Sequence, residues 1–234
     1  MRLLNTILLA LVLVVNYLAN ALPLYGKTTA ELSDALPNLF VPAGITFAIW
    51  GIIYLLLISY TVWSWRKPAE GLITSPTLAL SHLLNMAWIN TWHLQAVDAS
   101  LIIMIGLLIC LSLAAQQTEG KFARLTIGVY LGWICIATIA NVTAVGVYHG
   151  WSGAPFSEVN WTQAILPIGG LVAIAVMHRT RNLFLSLSVI WAFVGIVIKR
   201  NADHPEIVMM AYVTIAVVAG YVIWQVLQSR RVIR

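Results

Sequence analysis

Charged residues are scarce in this chain. They make up 9% of its 234 residues, whereas a soluble domain has about 25%. Hydrophobic residues make up 61%, and the mean hydropathy is +0.90. Too few polar side chains are present to cover a water-exposed surface. The composition therefore predicts an all-α integral membrane protein, a polytopic helical bundle with the lipid bilayer as a partner.

Motifs of the common hydrolase and nucleotide sites are also absent. The sequence has no Gly-rich phosphate loop, no H-E-x-x-H pair and no G-x-S-x-G elbow. Its two cysteines, Cys110 and Cys135, lie in apolar segments and give neither a disulfide framework nor a metal-ligand spacing. The basic residues form no patch of the kind that binds nucleic acid. We therefore expect no catalytic residue, no metal, no required cofactor and no nucleic-acid partner.

Long apolar runs are what the chain does contain. We predict eight membrane spans, at about 3–24, 43–65, 75–95, 99–117, 124–148, 161–178, 183–198 and 207–228. The first span ends in Ala19-Asn20-Ala21, which is also typical of a cleaved signal peptide. We interpret it as a retained helix, because the apolar run continues to Leu24. No charge lies in the middle of a span, which argues against a proton pump or an ion channel.

The distribution of charge between the connecting segments supports this count. With the N-terminus inside, ten of the 13 Lys and Arg residues fall on the inner side, while Lys27, Lys199 and Arg200 fall outside. Six of the eight acidic residues lie outside. This asymmetry follows the positive-inside rule. It predicts eight spans with both termini cytoplasmic, and the lack of a transit peptide favours a bacterial inner (plasma) membrane.

Polar and aromatic residues share faces of the second and third spans. Trp50 and Tyr54 are four residues apart, while Asn85, Trp88 and Trp92 stand at i, i+3 and i+7. An amide in hydrocarbon needs partners, because an unsatisfied polar group there costs several kcal/mol. Asn85 therefore has two interpretations, a ligand-orienting group in a pocket or an interhelical hydrogen bond. The aromatic rings likewise fit either a pocket lining or ordinary helix packing.

The fifth span repeats the combination of aromatic, small and amide residues. Trp133, Ala137 and Asn141 stand at i, i+4 and i+8. Small residues such as Ala137 allow close helix packing, either within the protein or between two protomers. They also leave room for a flat ligand. A homodimer is therefore one alternative.

Taken in order, these stretches resemble the TspO/MBR family, the tryptophan-rich sensory proteins related to the mitochondrial translocator protein. That family carries a proline-rich loop leading into W-x-x-[LI]-[YF] on helix two, N-L-A-W on helix three and W-V-x-F-A-x-x-L-N on helix five. The matching stretches here are Trp50-Gly51-Ile52-Ile53-Tyr54 after Pro42, Asn85-Met86-Ala87-Trp88, and residues 133–141. The family loop usually reads W-x-P-P, whereas this chain has Leu39-Phe40-Val41-Pro42, and Phe47 is one place out of register.

The resemblance covers about residues 1–148 and implies a five-helix core. Residues 149–234 then add about three transmembrane helices without a functional motif. Family members bind flat apolar molecules, notably porphyrins and sterols, between the helices and under the loop that joins helices one and two. The resemblance thus implies a small hydrophobic ligand, such as a porphyrin or haem, and a lid from Tyr25 to Val41. The implied ligand-binding residues are Trp50, Tyr54, Asn85, Trp88, Trp92, Trp133, Ala137 and Asn141, with Pro37 and Pro42 in the loop.

Four functions stay open from the sequence. The first is a membrane protein that binds a flat ligand for sensing or transport. The second is a transporter of another small apolar or amphipathic substrate, with the added helices completing the path. The third is a membrane enzyme that modifies a bound tetrapyrrole or lipid, although no acid, base or metal site supports it. The fourth is an assembly factor without a small ligand.

Overall fold

The computed structural model describes residues 1–21, 26–68, 71–151 and 153–231. Within these ranges the chain is helical and contains no strand, and the predicted class, a polytopic all-α bundle, is confirmed. Five positions used in the sequence predictions lie outside the described residues. They are the end of the first span at 22–24, the first loop residue Tyr25 and the basic residue Arg234.

Eight long helices coincide with the eight predicted spans. They are α1 (Arg2–Asn20), α3 (Ile49–Ser64), α4 (Pro76–His93), α5 (Val97–Gln116), α6 (Lys121–Tyr148), α7 (Glu158–Thr180), α8 (Leu185–Arg200) and α9 (Pro205–Arg231). Short 3-10 helices, Gly44–Ala48 and Gly71–Thr74, precede α3 and α4. By length and composition, six of the described helices can cross a bilayer. The other two long helices do not meet this criterion: α4 is more polar, and α8 has only 16 residues.

Helix α6 is the centre of the bundle. In its most apolar stretch, 72% is buried inside the protein, whereas the corresponding share is 28–39% in the other five spanning helices. It packs against α3, α5, α7 and α8. Gly132 permits the closest of these contacts, because a Cβ there would overlap the main-chain carbonyl oxygen of Leu185 at the start of α8. α6 can therefore supply the inner wall of any site between the helices.

Helix α8 fixes the start of α3. The Ala43 N–H donates to the carbonyl of Gly195 (3.0 Å), and the Trp191 indole N–H donates to the carbonyl of Thr46 (2.9 Å). The Thr46 side chain packs directly against Gly195, so a Cβ at position 195 would collide with the Thr46 side chain. The 3-10 turn that carries Phe47 is thus seated on a C-terminal helix.

One additional short helix, α2 (Thr29–Asp34), lies within the predicted lid. Its capping box explains why it forms: the Thr28 hydroxyl accepts from the Glu31 N–H, and the Glu31 carboxylate accepts from the Thr28 N–H (2.7 Å). The same hydrogen bond from the Thr28 backbone lowers the pKa of Glu31. We refer to residues 28–43, which include α2 and run to the start of the 3-10 turn, as the lid segment.

Candidate functional site

A cleft lies between α3, α4 and α6, beneath the lid segment. The space in it that a water-sized molecule can reach is about 40 Å³, far below the roughly 300–1,000 Å³ of ligand pockets, so a ligand has to displace side chains or the lid segment to enter. Seven of the ten predicted site and loop residues line it: Pro42, Trp50, Trp88, Trp92, Trp133, Ala137 and Asn141. The structure adds Thr29, Ser33, Phe47, Ile136 and Ala140. No charged residue is among these lining side chains of the described chain.

Trp50 is the centre of the aromatic wall. Its ring stacks near Trp88, with centroids 5.8 Å apart and planes at 26°, and near Tyr54, at 5.6 Å and 24°. Trp133 meets it edge to face at 6.3 Å and 80°. These separations lie in the favourable range for ring pairs. The rings of the wall therefore pack against one another along this side of the cleft.

Phe47 completes this wall from the 3-10 turn before α3. Its ring lies 5.9 Å from that of Trp133 in an edge-to-face arrangement. The sequence placed Phe47 one position out of register with the family pattern. Phe47 lies in the 3-10 turn, three residues before Trp50. Phe47, Trp50 and Tyr54 stand at i, i+3 and i+7, so helical spacing alone indicates a shared face, whereas the comparison with the family pattern did not assign Phe47 to the site.

Asn85 does not line the cleft. Its side-chain oxygen accepts from Asn16 Nδ2 (2.9 Å), and its own Nδ2 donates to the Tyr130 hydroxyl (3.0 Å). Asn85 is fully buried, and Asn16 and Tyr130 are nearly so. This chain joins α1, α4 and α6. Of the two interpretations of Asn85, the hydrogen bonds support the interhelical one.

We expect Asn85→Leu to destabilise the protein by about 1–3 kcal/mol, because it removes the acceptor of one buried Asn16 N–H and the donor to the buried Tyr130 hydroxyl. The measurement is the unfolding midpoint in an SDS titration of the detergent-solubilised protein. Asn160→Leu, at an exposed position near the start of α7, is the matched control. Equal midpoints for the two variants would contradict a structural role of the Asn85 amide.

Other polar groups at the cleft differ in whether they have partners. The Asn141 side-chain oxygen accepts from Ser100 Oγ (3.0 Å), and its Nδ2 donates to the Ala137 carbonyl (3.2 Å). In contrast, the indole nitrogens of Trp88 and Trp133 are buried and have no hydrogen-bond partner among the described residues. The buried hydroxyl of Thr29 has none there either.

Tyr54 and Pro37 line neighbouring cavities instead of the cleft. Tyr54 lies in a crevice between α1 and α3 with a volume of about 510 Å³, partly open to the outside. The crevice shares Thr29, Phe47 and Trp50 with the cleft. Pro37 is exposed and borders a cavity between the lid segment and the start of α7. The crevice and the cleft therefore adjoin at these three side chains.

The C-terminal helices hold the lid segment from the side. Arg200 Nη2 donates to the Asn38 carbonyl (2.8 Å), and Arg200 Nε donates to the Leu39 carbonyl (3.2 Å). The Leu39 N–H donates to the Glu158 carboxylate at the start of α7 (2.8 Å). Lys199 forms an ion pair with Asp34 (2.6 Å). These contacts join positions 119–165 residues apart in sequence, and no local sequence pattern predicts them.

Among the described residues, the cleft lining offers no side-chain ligand for a haem iron. Neither histidine nor cysteine is among the residues that line the cleft in the described chain. The structure also shows no group of three or more metal-ligating side chains within its described ranges. If a haem were bound here, the aromatic faces would hold the ring, and no cleft side chain would bind its iron.

Comparison with known proteins identifies the family. The model of the family described as TSPO-like protein matches residues 2–224. The match therefore continues past residue 148 through α7 and α8 and into α9. No curated protein and no solved structure matches the chain. Because the family match spans nearly the whole sequence, this chain is a member of the TSPO-like protein family.

Proposed function

We propose that the protein binds a flat, apolar ligand in the cleft and thereby senses or transports it. The observation that carries the proposal is the aromatic wall, in which Trp50 contacts Trp88 and Trp133 beside empty space beneath the lid segment. Rings of this kind stack on planar molecules. A porphyrin or a sterol-like molecule is the ligand class that the family resemblance implies.

Filling the cleft from its α6 wall tests this proposal. We expect Ala137→Phe to weaken ligand binding by at least about tenfold, because the phenyl ring occupies space that the ligand needs. The measurement is tryptophan-fluorescence quenching of the detergent-purified protein by protoporphyrin IX, haem or a sterol, with inner-filter correction. Ala216→Phe, at an exposed position on α9, adds the same ring outside the cleft.

Two results would contradict the proposal. One is the absence of saturable quenching by any of these ligands in protein shown to be folded. The other is an equal affinity of the Ala137→Phe and Ala216→Phe variants, which would place the bound ligand elsewhere.

Transport of a small apolar or amphipathic substrate is the second candidate. The crevice between α1 and α3 favours it, because this space meets the cleft at Thr29, Phe47 and Trp50. Such an arrangement offers a route from the side of the bundle to the ligand site. Ligand flux across proteoliposomes separates transport from binding alone.

The membrane orientation and the assembly state belong to the proposal as well. We infer a bacterial plasma membrane with both termini cytoplasmic, which leaves the lid segment on the outer side. Two further small residues of α6, Gly132 and Ala144, are buried within one protomer. These positions therefore support helix contacts inside the protein, and a homodimer would need another surface.

A further inference from the structure

A second cavity lies at the end of the bundle opposite the lid segment. It occupies about 570 Å³ between the end of α3 and the start of α6 and is partly open to the outside, a volume within the roughly 300–1,000 Å³ of ligand pockets. It shares no lining residue with the cleft. Its position follows from the helices, because α3 follows the lid segment in the chain, whereas Val147 in the last turn of α6 borders the same space as Pro37.

Three aromatic rings form one wall of this cavity. The ring centroid of Phe122 lies 5.6 Å from that of Tyr60 and 5.7 Å from that of Trp63, both edge to face, and Tyr60 and Trp63 are 5.8 Å apart. Tyr60 is buried, whereas Trp63 is 44% exposed on the outside of the bundle. Such rings are typical of the zone where membrane proteins meet the lipid headgroups. The cavity therefore lies at the level of the headgroups.

Two lysines from different helices border the same cavity. Lys67 follows α3, with its Nζ 5.8 Å from the centroid of the Trp63 ring, and Lys121 is the first residue of α6. Neither forms an ion pair among the described residues, although Glu119 also lines the cavity. Glu70, in the connection after α3, lies outside the described residues. Two lysines without a counter-charge beside one space favour an anionic occupant.

The start of α6 adds hydrogen-bond donors to this charge. Its N-cap Gly120 and the next three residues, Lys121, Phe122 and Ala123, all line the cavity. No side chain caps their backbone N–H groups, and the first turn holds no acidic residue. Free N–H groups at the start of a helix, together with the helix dipole, favour an anion. They supplement the two lysines, which supply the formal charge.

We propose that this cavity binds the headgroup of an anionic phospholipid, with the phosphodiester between Lys67 and Lys121. Basic pockets between transmembrane helices bind such headgroups. A lipid fits better than a free phosphate, because the exposed apolar side chains Val62 and Trp63 lie beside the charge and can pack against an acyl chain. The site is separate from the cleft, so this inference goes beyond the proposed function and does not depend on it.

Native mass spectrometry of the full-length protein in a neutral detergent tests the preference for an anionic headgroup. The probes are phosphatidylglycerol and phosphatidylcholine with the same acyl chains. We expect the first phosphatidylglycerol to bind at least about tenfold more tightly than the first phosphatidylcholine. In the Lys67→Gln/Lys121→Gln double variant this ratio of affinities should fall to about one.

Arg179→Gln/Arg181→Gln is the matched control. It removes the same amount of charge at the same end of the bundle, from exposed positions at the end of α7 that do not line the cavity. This variant should keep the wild-type ratio. An equal loss of the ratio in both double variants would mean that phosphatidylglycerol responds to the overall charge of this membrane surface, and it would overturn the site.

Cross-linking of the wild-type protein locates the lipid without any substitution. A phosphatidylglycerol with a photoreactive diazirine in its headgroup is added to the protein in phosphatidylcholine nanodiscs, and the labelled peptides are sequenced. We expect labels within residues 60–68 and 117–123. Excess unlabelled phosphatidylglycerol should suppress them, whereas an excess of inorganic phosphate should not.

Three further results would overturn the inference. They are equal binding of the two lipids to the wild-type protein, labels confined to other segments, and suppression of the labels by inorganic phosphate, which would indicate a site for the free ion. None of these measurements involves the cleft. A failed titration with flat ligands would therefore leave the lipid site standing, and loss of the lipid site would leave the proposed function standing.

Discussion

Gly132→Ala is expected to destabilise the protein by about 3 kcal/mol or more, at the upper end of the cost of overpacking. The added methyl group would collide with the Leu185 carbonyl oxygen. That atom belongs to the main chain, so no rotamer change can relieve the collision, and α8 has to move away from α6. The measurement is the unfolding midpoint in an SDS titration followed by circular dichroism.

Gly51→Ala is the matched control. A Cβ at Gly51 would meet nothing within 4 Å, and Gly51 lies inside α3. Alanine is the better helix former by up to about 1 kcal/mol, so this variant should be neutral or more stable. A Gly132→Ala protein as stable as Gly51→Ala would show that the α6–α8 contact is not close in solution. Ligand affinity should fall in Gly132→Ala as well, because α8 packs against Thr46 and thereby positions the 3-10 turn before α3.

Arg200→Met is expected to release the lid segment. The substitution keeps much of the side-chain volume but removes the two hydrogen bonds to the carbonyls of Asn38 and Leu39. Because the Arg200 side chain is only 11% exposed, we expect these charge-assisted bonds to contribute about 2 kcal/mol together. That free energy corresponds to a lid-opening equilibrium shifted about 30-fold. The dissociation rate of a bound porphyrin, measured by stopped flow, should rise accordingly.

Lys199→Met supplies the comparison. Lys199 pairs with Asp34, whose side chain is 56% exposed, so water screens the interaction. Exposed pairs contribute about 0–1 kcal/mol, and the dissociation rate should change little. The same rate in both variants would mean that Arg200 does not restrain the lid segment. Limited proteolysis between α1 and α3 is an independent measure of lid opening.

The fold was largely predictable because hydrophobicity is a property of contiguous sequence. Long apolar runs located the eight long helices, and the family resemblance assigned Trp88 and Trp133 to a common pocket. The short helix α2 was missed, although Thr28 and Glu31 carry the local pattern of a capping box. The capping-box pattern was not used because the sequence prediction treats residues 25–41 as a loop between two spans.

The long-range contacts of the site were not predictable from one sequence. Lys199 and Arg200 appeared only as exceptions to the positive-inside count, since nothing local indicates that they reach a segment about 160 residues earlier. Asn16 and Asn85 each suggested an inward face. Only three-dimensional packing shows that they bond to each other.

The division of the chain at residue 148 into a five-helix core and added helices stays a prediction. The contacts of α7 and α8 nevertheless give the C-terminal part a structural role. α8 seats the 3-10 turn before α3 through Gly195, and its last turn holds the lid segment through Arg200. α7 adds Glu158 to the same restraint. Shortening the chain after α6 would thus remove the support of the cleft, even though the described cleft lining comes entirely from earlier helices.

The length of α8 bears on how the protein is made. Sixteen residues extend about 24 Å as an α-helix, less than the roughly 30 Å hydrocarbon layer, and both hydroxyl side chains Ser186 and Ser188 are buried in the bundle. Such a segment is a poor independent substrate for the insertion machinery. During synthesis, α8 should enter the bilayer together with α7 or α9 and settle against α6 afterwards. The cleft therefore acquires its final shape only after the last helices have been synthesised.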